Sequence, residues 1–460
     1  MAPNGGDDVA DLPVFDLAAI LASHAGKEDE TLLKACKDMA RCLHETSCLV
    51  VRDPRVSEGD NVKFMEMMKR YYAQDTEAKK SDARPDIHYQ VGVTPAGVEK
   101  AKCASDPKCI AEMDSMPEKH RPLKPKKADP KWRFFWRVGP RPENSKFPDL
   151  NAAPVIPEAF KKEWPSTCDG WGNKTLDALH AVAEMLALGF NLERSTFRDM
   201  MNFGPHLLAP TGSDLSQHGA VNTIFAGYHN DLNFLTIHGK SNYPGLRIWL
   251  RDGTRKTVTV PDGCLLLQAG QQFEYVTGGH VKAGFHEVIC SEKTRAVLES
   301  REKDAAGKLE PKDYWRISTT MFGTLCHDTL LQPVGHFAKL STAKDYPPIL
   351  GGDQVAKVLM EIGMANAAST DDTVTMKMSQ KKSVGFYTRA AATFLKGAEG
   401  KDPVDKLKLS ALGNSMGMAV DVANRMEKDG LGKIAKVETS YPDMDGQRCA
   451  HISIDLEKTC

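Results

Sequence analysis

Apolar positions recur at helical spacing in three stretches of the first two hundred residues. Leu32, Leu33, Cys36, Met39, Ala40 and Leu43 form one stripe over 30–44, and Phe64, Met65, Met68 and Tyr72 form a second. Leu176, Leu179, Val182, Ala183 and Leu186 form a third over 174–189. Leu12–Leu17 and Cys48–Val51 are short apolar runs that predict strands. Further on, alternation takes over. Residues 245–250 alternate, Asp252-Gly253 supplies a hairpin turn, Val258 and Val260 resume, and Cys264–Leu267 predicts a buried strand. Phe285, Val288 and Ile289 mark another strand, and Tyr314–Ser318 one more. The charged stretch 292–313 between them predicts an exposed hairpin extension or loop. Val355, Val358, Leu359 and Ile362 then predict a closing helix.

Residues 364–372 are small and polar and read as a linker. After it the pattern restarts as βαβαββ. Val374, Met376 and Met378 alternate; Tyr387, Ala391, Phe394 and Leu395 share a helix face; Leu407, Leu409 and Ala411 alternate again. Gly413 marks a tight entry into a helix bearing Met416, Ala419, Val420, Ala423 and Met426, and two strands follow over 433–440 and 449–456.

The candidate chemistry sits in the alternating part. His229 and Asp231 are two apart in a strand-like run, so their side chains leave on one face. His286 lies in a second such run. Two neutral imidazoles and one carboxylate are the donor set that holds non-haem Fe(II) on one side and leaves the other side open. Arg316 and Ser318 again share a strand face, and a guanidinium fork beside a hydroxyl suits a carboxylate. Arg295 is the rival anchor.

On these residues, 228–323 resembles the core of the iron- and 2-oxoglutarate-dependent oxygenases, in the branch that includes isopenicillin N synthase. The resemblance implies a double-stranded β-helix (jelly-roll) with flanking helices. It implies that His229, Asp231 and His286 bind Fe(II) and that Arg316 and Ser318 hold the distal carboxylate of 2-oxoglutarate. The activity it implies is hydroxylation or demethylation, with CO2 and succinate as co-products. Residues 1–363 would form this domain: an N-terminal cap over 1–200, the core over 201–340 and the closing helix over 341–363. Plant relatives carry a tyrosine-rich strand ending in proline where this chain has His206-Leu207-Leu208-Ala209-Pro210, so the second contact to 2-oxoglutarate departs from the pattern. An oxidase that dispenses with 2-oxoglutarate is the alternative within the branch.

Residues 373–460 resemble the Alba family of small nucleic-acid-binding proteins. The resemblance is carried by Lys381-Lys382-Ser383-Val384, by 410–416 and 419–423, and by Val437-Glu438-Thr439-Ser440. It implies a small α/β domain that pairs into a homodimer and contacts RNA in preference to DNA through Lys381, Lys382 and Asn414. Two ammonium groups at a helix entrance suit phosphate on physical grounds as well. The substrate would be a small molecule or a nucleotide. A protein of another class, an RNA binder whose oxygenase-like half is a silent scaffold, is the competing reading.

Composition adds three limits. The net charge is −1, so attraction to nucleic acid must come from a local patch. One candidate is the basic segment 119–133; the other reading of it is a loop leading into a buried strand. Eleven cysteines without zinc-type spacing point to a reducing compartment, cytoplasmic or also nuclear. No membrane-length apolar run occurs and the N-terminal residues do not form a secretory signal.

Overall fold

The computed structural model describes residues 8–104, 106–125, 127–361, 374–397, 403–440, 443–444 and 447–459. The chain divides into two units, Met1–Ala365 and Asn366–Cys460. The strands of the first are β1 (Val14–Asp16), β2 (Cys48–Arg52), β3 (Gly92–Thr94), β4 (Lys131–Val138), β5 (His206–Asp214), β6 (Ile224–Asn230) and β7 (Leu235–His238). They continue with β8 (Leu246–Trp249), β9 (Arg255–Thr257), β10 (Cys264–Ala269), β11 (Phe285–Ile289), β12 (Trp315–Gly323), β13 (Leu330–Leu331) and β14 (Ile349–Leu350). Eight form one sheet in the order β1-β2-β10-β7-β12-β5-β4-β3, and four form another in the order β6-β11-β8-β9. A cavity lined from both sheets lies between them, as in a jelly-roll.

The predicted helical stripes become the buried faces of helices Glu30–Thr46, Glu58–Tyr72 and Trp164–Gly189. Asp29 and Ser57 cap the first two through their side chains. The first and third helices touch at Gly189, where a Cβ would stand 2.2 Å from the Cys36 carbonyl oxygen.

Two expectations are corrected. Most of the stretch 292–313 is not a hairpin extension or loop: Glu292–Asp304 is a helix, and only 305–310 is turn or loop before a 3-10 turn at Pro311–Tyr314. Ser291 and Thr294 form a capping box, and Leu298 packs with Leu215, Phe225 and Tyr243. Its Glu, Lys and Arg residues are good helix formers, so high charge gives no warrant for a loop. The closing helix is shorter than 341–363. It begins at Gly351 and runs to Glu361, because Pro347-Pro348 bars an earlier start. Residues 341–345 form a 3-10 turn instead. Ile362, Gly363 and the linker 364–372 lie outside the described residues.

The basic segment 119–133 leads into the buried strand β4. Lys124 pairs with Asp114, and Lys131 and Arg133 are held in ion pairs inside the unit. Cys103 and Cys109 form a disulfide, while the other described cysteines are free. Among the described residues no helix is long and apolar enough to cross a membrane.

The second unit carries β15 (Val374–Met378), β16 (Lys406–Leu412), β17 (Gly432–Ser440), the two-residue strands β18 (Asp443–Met444) and β19 (Gln447–Arg448), and β20 (His451–Lys458). Helices Val384–Lys396 and Met416–Lys428 pack on the sheet β15-β16-β20-β17. This is the predicted βαβαββ order with a small β18–β19 ladder added. Gly413 takes φ +52° at the helix entry, as its position in the sequence predicts.

Candidate functional site

β6 carries His229, and Asp231 follows its last residue. β11 pairs antiparallel with β6 and sets His286 directly opposite His229. One ligand atom from each of His229, Asp231 and His286 lies within 4.8 Å of the others. His229 Nε2 is 3.7 Å and His286 Nε2 4.0 Å from Asp231 Oδ1.

The donor states fit a divalent metal. Burial pushes the His286 imidazole down to about 4 and lowers that of His229, so both are neutral at pH 7. Burial would raise the Asp231 carboxyl, but His286, His229 and the Thr236 hydroxyl outweigh it and hold it below the usual range. Thr236 Oγ1 donates to Asp231 Oδ2 at 2.5 Å, which leaves Oδ1 turned to the imidazoles. His229 Nδ1 lies 2.6 Å from the Gly227 carbonyl, which can only accept. Nδ1 therefore carries the proton and Nε2 keeps its lone pair. The Gly227 N–H in turn donates to Asp129 Oδ1 at 3.3 Å, and Asp129 is held by Lys131 at 2.6 Å.

Arg316 and Ser318 alternate onto the cavity face of β12. Arg316 is 4% exposed, and burial pushes its guanidinium down to about 10. Its Nε donates to the Pro244 carbonyl at 3.1 Å. Among the described residues no carboxylate forms an ion pair with it. Arg295 lies on the exposed face of helix 292–304, paired with Glu299, and does not line the cavity. Ser318 is half-buried and accepts weakly from Thr320 Oγ1 at 3.4 Å.

Three features lie outside the sequence-based expectations. His238 shares the cavity face of β7 with Thr236, and its Nδ1 is 3.0 Å from Thr320 Oγ1. The spacing of two that singles out His229 and Asp231 could have found it. Glu99, Asp129, Lys131 and Arg133 form a buried charge cluster beside His229. The basic run conceals it, because one acidic partner, Glu99, comes from elsewhere in the chain. Thr236 gives no signal until Asp231 is placed. At the missing tyrosine, Leu207 faces the cavity opposite Phe322.

In the second unit Lys381 and Lys382 are exposed just before helix Val384–Lys396, whose first turn is capped by Ser383. Asn414 lies in the turn after β16. The parallel register Met378↔Ala411 brings both loops out at one end of the sheet.

Residues 201–304 match the family model of the 2OG-Fe(II) oxygenase superfamily. The first unit has the fold of several solved oxygenases. A putative 2OG-Fe(II) oxygenase family protein from Caulobacter crescentus is 19% identical, with TM-score 0.58 over 77% of this chain and all of its own. A full-length Neurospora crassa protein solved in complex with alpha-KG is 16% identical, with TM-score 0.56 over 76% of this chain and 96% of its own. The same Neurospora protein with alpha-KG and thymine gives 17% and 0.54 over 77% and 99%. The chain thus carries a 2OG-Fe(II) oxygenase domain, and its cofactors are Fe(II) and 2-oxoglutarate. Over 85 residues, 18% of its length, the chain is also similar to Endonuclease ALBA3 of Plasmodium falciparum (isolate 3D7), 35% identical over 79% of that protein.

Proposed function

We propose that this chain is an Fe(II)- and 2-oxoglutarate-dependent oxygenase joined to an Alba-like nucleic-acid-binding module. In this reading His229, Asp231 and His286 hold the metal, and Arg316 with Ser318 seats the distal carboxylate of 2-oxoglutarate. The observation that carries it is Arg316: a buried guanidinium without a carboxylate partner among the described residues, facing the cavity that holds the three metal donors. Such a charge is costly unless an anion completes it. Bound Fe(II) and 2-oxoglutarate supply the oxidising chemistry, with CO2 and succinate as co-products. The chain's own residues keep two imidazoles unprotonated, fix one carboxylate oxygen, and enclose both ligands in a cavity of about 1080 Å3.

The substrate class in this reading is a nucleobase, free or in RNA. The fold likeness to a Neurospora crassa protein solved with thymine and the similarity to an Alba-named protein both support it. The domain limits follow the same reading, with the oxygenase over 1–363 and the Alba-like module over 373–460.

Succinate release from 2-oxoglutarate, with and without Fe(II), tests the oxygenase. Iron-dependent release is expected. Its absence from metal-loaded protein would favour the RNA binder with a silent scaffold. Oxygen uptake that ignores added 2-oxoglutarate would instead favour an oxidase like isopenicillin N synthase. For the second unit, Lys381→Glu with Lys382→Glu is expected to weaken RNA binding and flatten the dependence of log K on log salt by about 0.7 per lost phosphate contact. An unchanged slope moves the contact elsewhere.

A further inference from the structure

The cavity extends well beyond the places assigned so far. On β12 the residues Arg316, Ser318, Thr320 and Phe322 alternate onto it, with Phe322 about 20 Å along the strand from Arg316. Phe322 is paired in register with Thr236, the residue that holds Asp231. The metal donors therefore lie at the Phe322 end, with 2-oxoglutarate reaching them from the Arg316 end. What remains is the space beyond Phe322.

Its walls are apolar. Phe135 and Phe322 meet edge to face, ring centres 6.0 Å apart, with Leu207 opposite Phe322 and Val355 contributed by helix Gly351–Glu361. Polar side chains interrupt them, among them Thr324, His327, Gln354 and the exposed Lys357. His327 and Gln354 are neighbours, since the Gly352 N–H donates to the His327 carbonyl at 3.0 Å and Gln354 follows in the same helical turn. They are 4% and 7% exposed, and among the described residues neither His327 Nδ1 nor Gln354 Oε1 has a hydrogen-bond partner. An unmade bond of this kind costs about 1–3 kcal/mol. Two on one wall call for an explanation, and a ligand supplies one.

The charge pattern restricts that ligand. Lys131 and Arg133 on the wall are neutralised by Glu99 and Asp129. Arg316 lies at the other end. Arg137, behind His327, is buried without an ion pair among the described residues and donates to the Pro140 and Gly204 carbonyls, and Lys357, exposed on the helix that carries Gln354, lines the cavity as well. The side chains of Phe135, Leu207, Phe322, His327, Gln354 and Val355 carry no charge at neutral pH. Among these six side chains a carboxylate or phosphate would find no ionic partner.

We propose that this end of the cavity binds the oxidisable substrate, an uncharged planar heterocycle with adjoining N–H and C=O groups. Gln354 Oε1 accepts from the N–H, His327 donates to the C=O, and the ring lies against Phe135, Leu207 and Phe322. The proposal rests on the oxygenase reading above and gives it a substrate chemistry.

The test is calorimetric titration of the full chain loaded with Mn(II), which supports binding without turnover. 2-Oxoglutarate is added first, then thymine or orotate, a pyrimidine of similar shape bearing a carboxylate. Saturable thymine binding is expected, with orotate at least about tenfold weaker. Gln354→Leu and His327→Leu are each expected to weaken thymine by about tenfold or more while leaving 2-oxoglutarate affinity unchanged. That unchanged affinity also shows the variants folded. Failure of 2-oxoglutarate to bind the wild type would overturn the oxygenase reading and this proposal together. Normal 2-oxoglutarate binding with no thymine binding, with orotate binding equally well, or with variants that bind thymine like wild type, would overturn this proposal alone.

Discussion

His286→Ala is expected to abolish iron-dependent succinate release, a loss of more than about a hundredfold. His229→Ala and Asp231→Ala are expected to do the same. The residues that merely orient metal ligands typically contribute ten- to a hundredfold in affinity or activity, and a ligand itself should exceed that. The neighbours give little help, because no further His, Cys, Asp or Glu joins the metal-capable group among the described residues. Mn(II) affinity, read by electron paramagnetic resonance, should fall in parallel in all three variants. The metal-free proteins should melt near the wild-type temperature, since without metal the two imidazoles are desolvated and His286 Nδ1 has no hydrogen-bond partner among the described residues. A His286→Ala protein that still binds Mn(II) and turns over would remove the basis of the assignment.

Arg316→Met separates binding from stability. It should raise the 2-oxoglutarate dissociation constant by about a hundredfold, through the loss of two charge-assisted hydrogen bonds of about 1.5–3 kcal/mol each, partly offset by water. The ligand-free protein should be no less stable than wild type. The guanidinium is buried with one backbone carbonyl as its partner, and exchanging an uncompensated buried charge for a packed apolar chain is often neutral or favourable. Arg316→Lys keeps the charge but loses the fork, so it should fall between the two. The measurements are calorimetry with Mn(II)-loaded protein and thermal melting without ligands. Unchanged 2-oxoglutarate affinity in Arg316→Met would place the cosubstrate's carboxylate elsewhere, and His238 with Thr320 would be the first place to look.

Much of this site is legible in the sequence because a strand has a period of two. His229 with Asp231, and Arg316 with Ser318, each need only the rule that alternate side chains share a face. The helices of the cap are legible for the matching reason, that helix period and apolar stripe coincide. Charge is the cue that misleads. It points to a hairpin or loop over 292–313, although Ser291, Thr294 and Leu298 write a capped helix with one buried stripe residue over 292–304. The 119–133 run offers a nucleic-acid patch only while the pairing with Asp129 and Glu99 is out of view. Glu99 and Asp129 hold Lys131 and Arg133 inside the unit, and Glu99 lies outside the run altogether.

Local order alone determined which residues could form strands and helices, which side chains shared a face, and that two patterned segments flank a polar stretch. Those features depend on neighbours a few positions apart, and the backbone's periodicity carries them. Only the tertiary structure decided that His286 stands opposite His229, that Thr236 turns one oxygen of Asp231 toward both, that Arg316 has no protein anion among the described residues, and that His327 and Gln354 line the same cavity. Each depends on strand register or on a helix docking across a cavity. Such contacts are fixed by the whole set of packing and desolvation energies, which no short stretch of sequence contains.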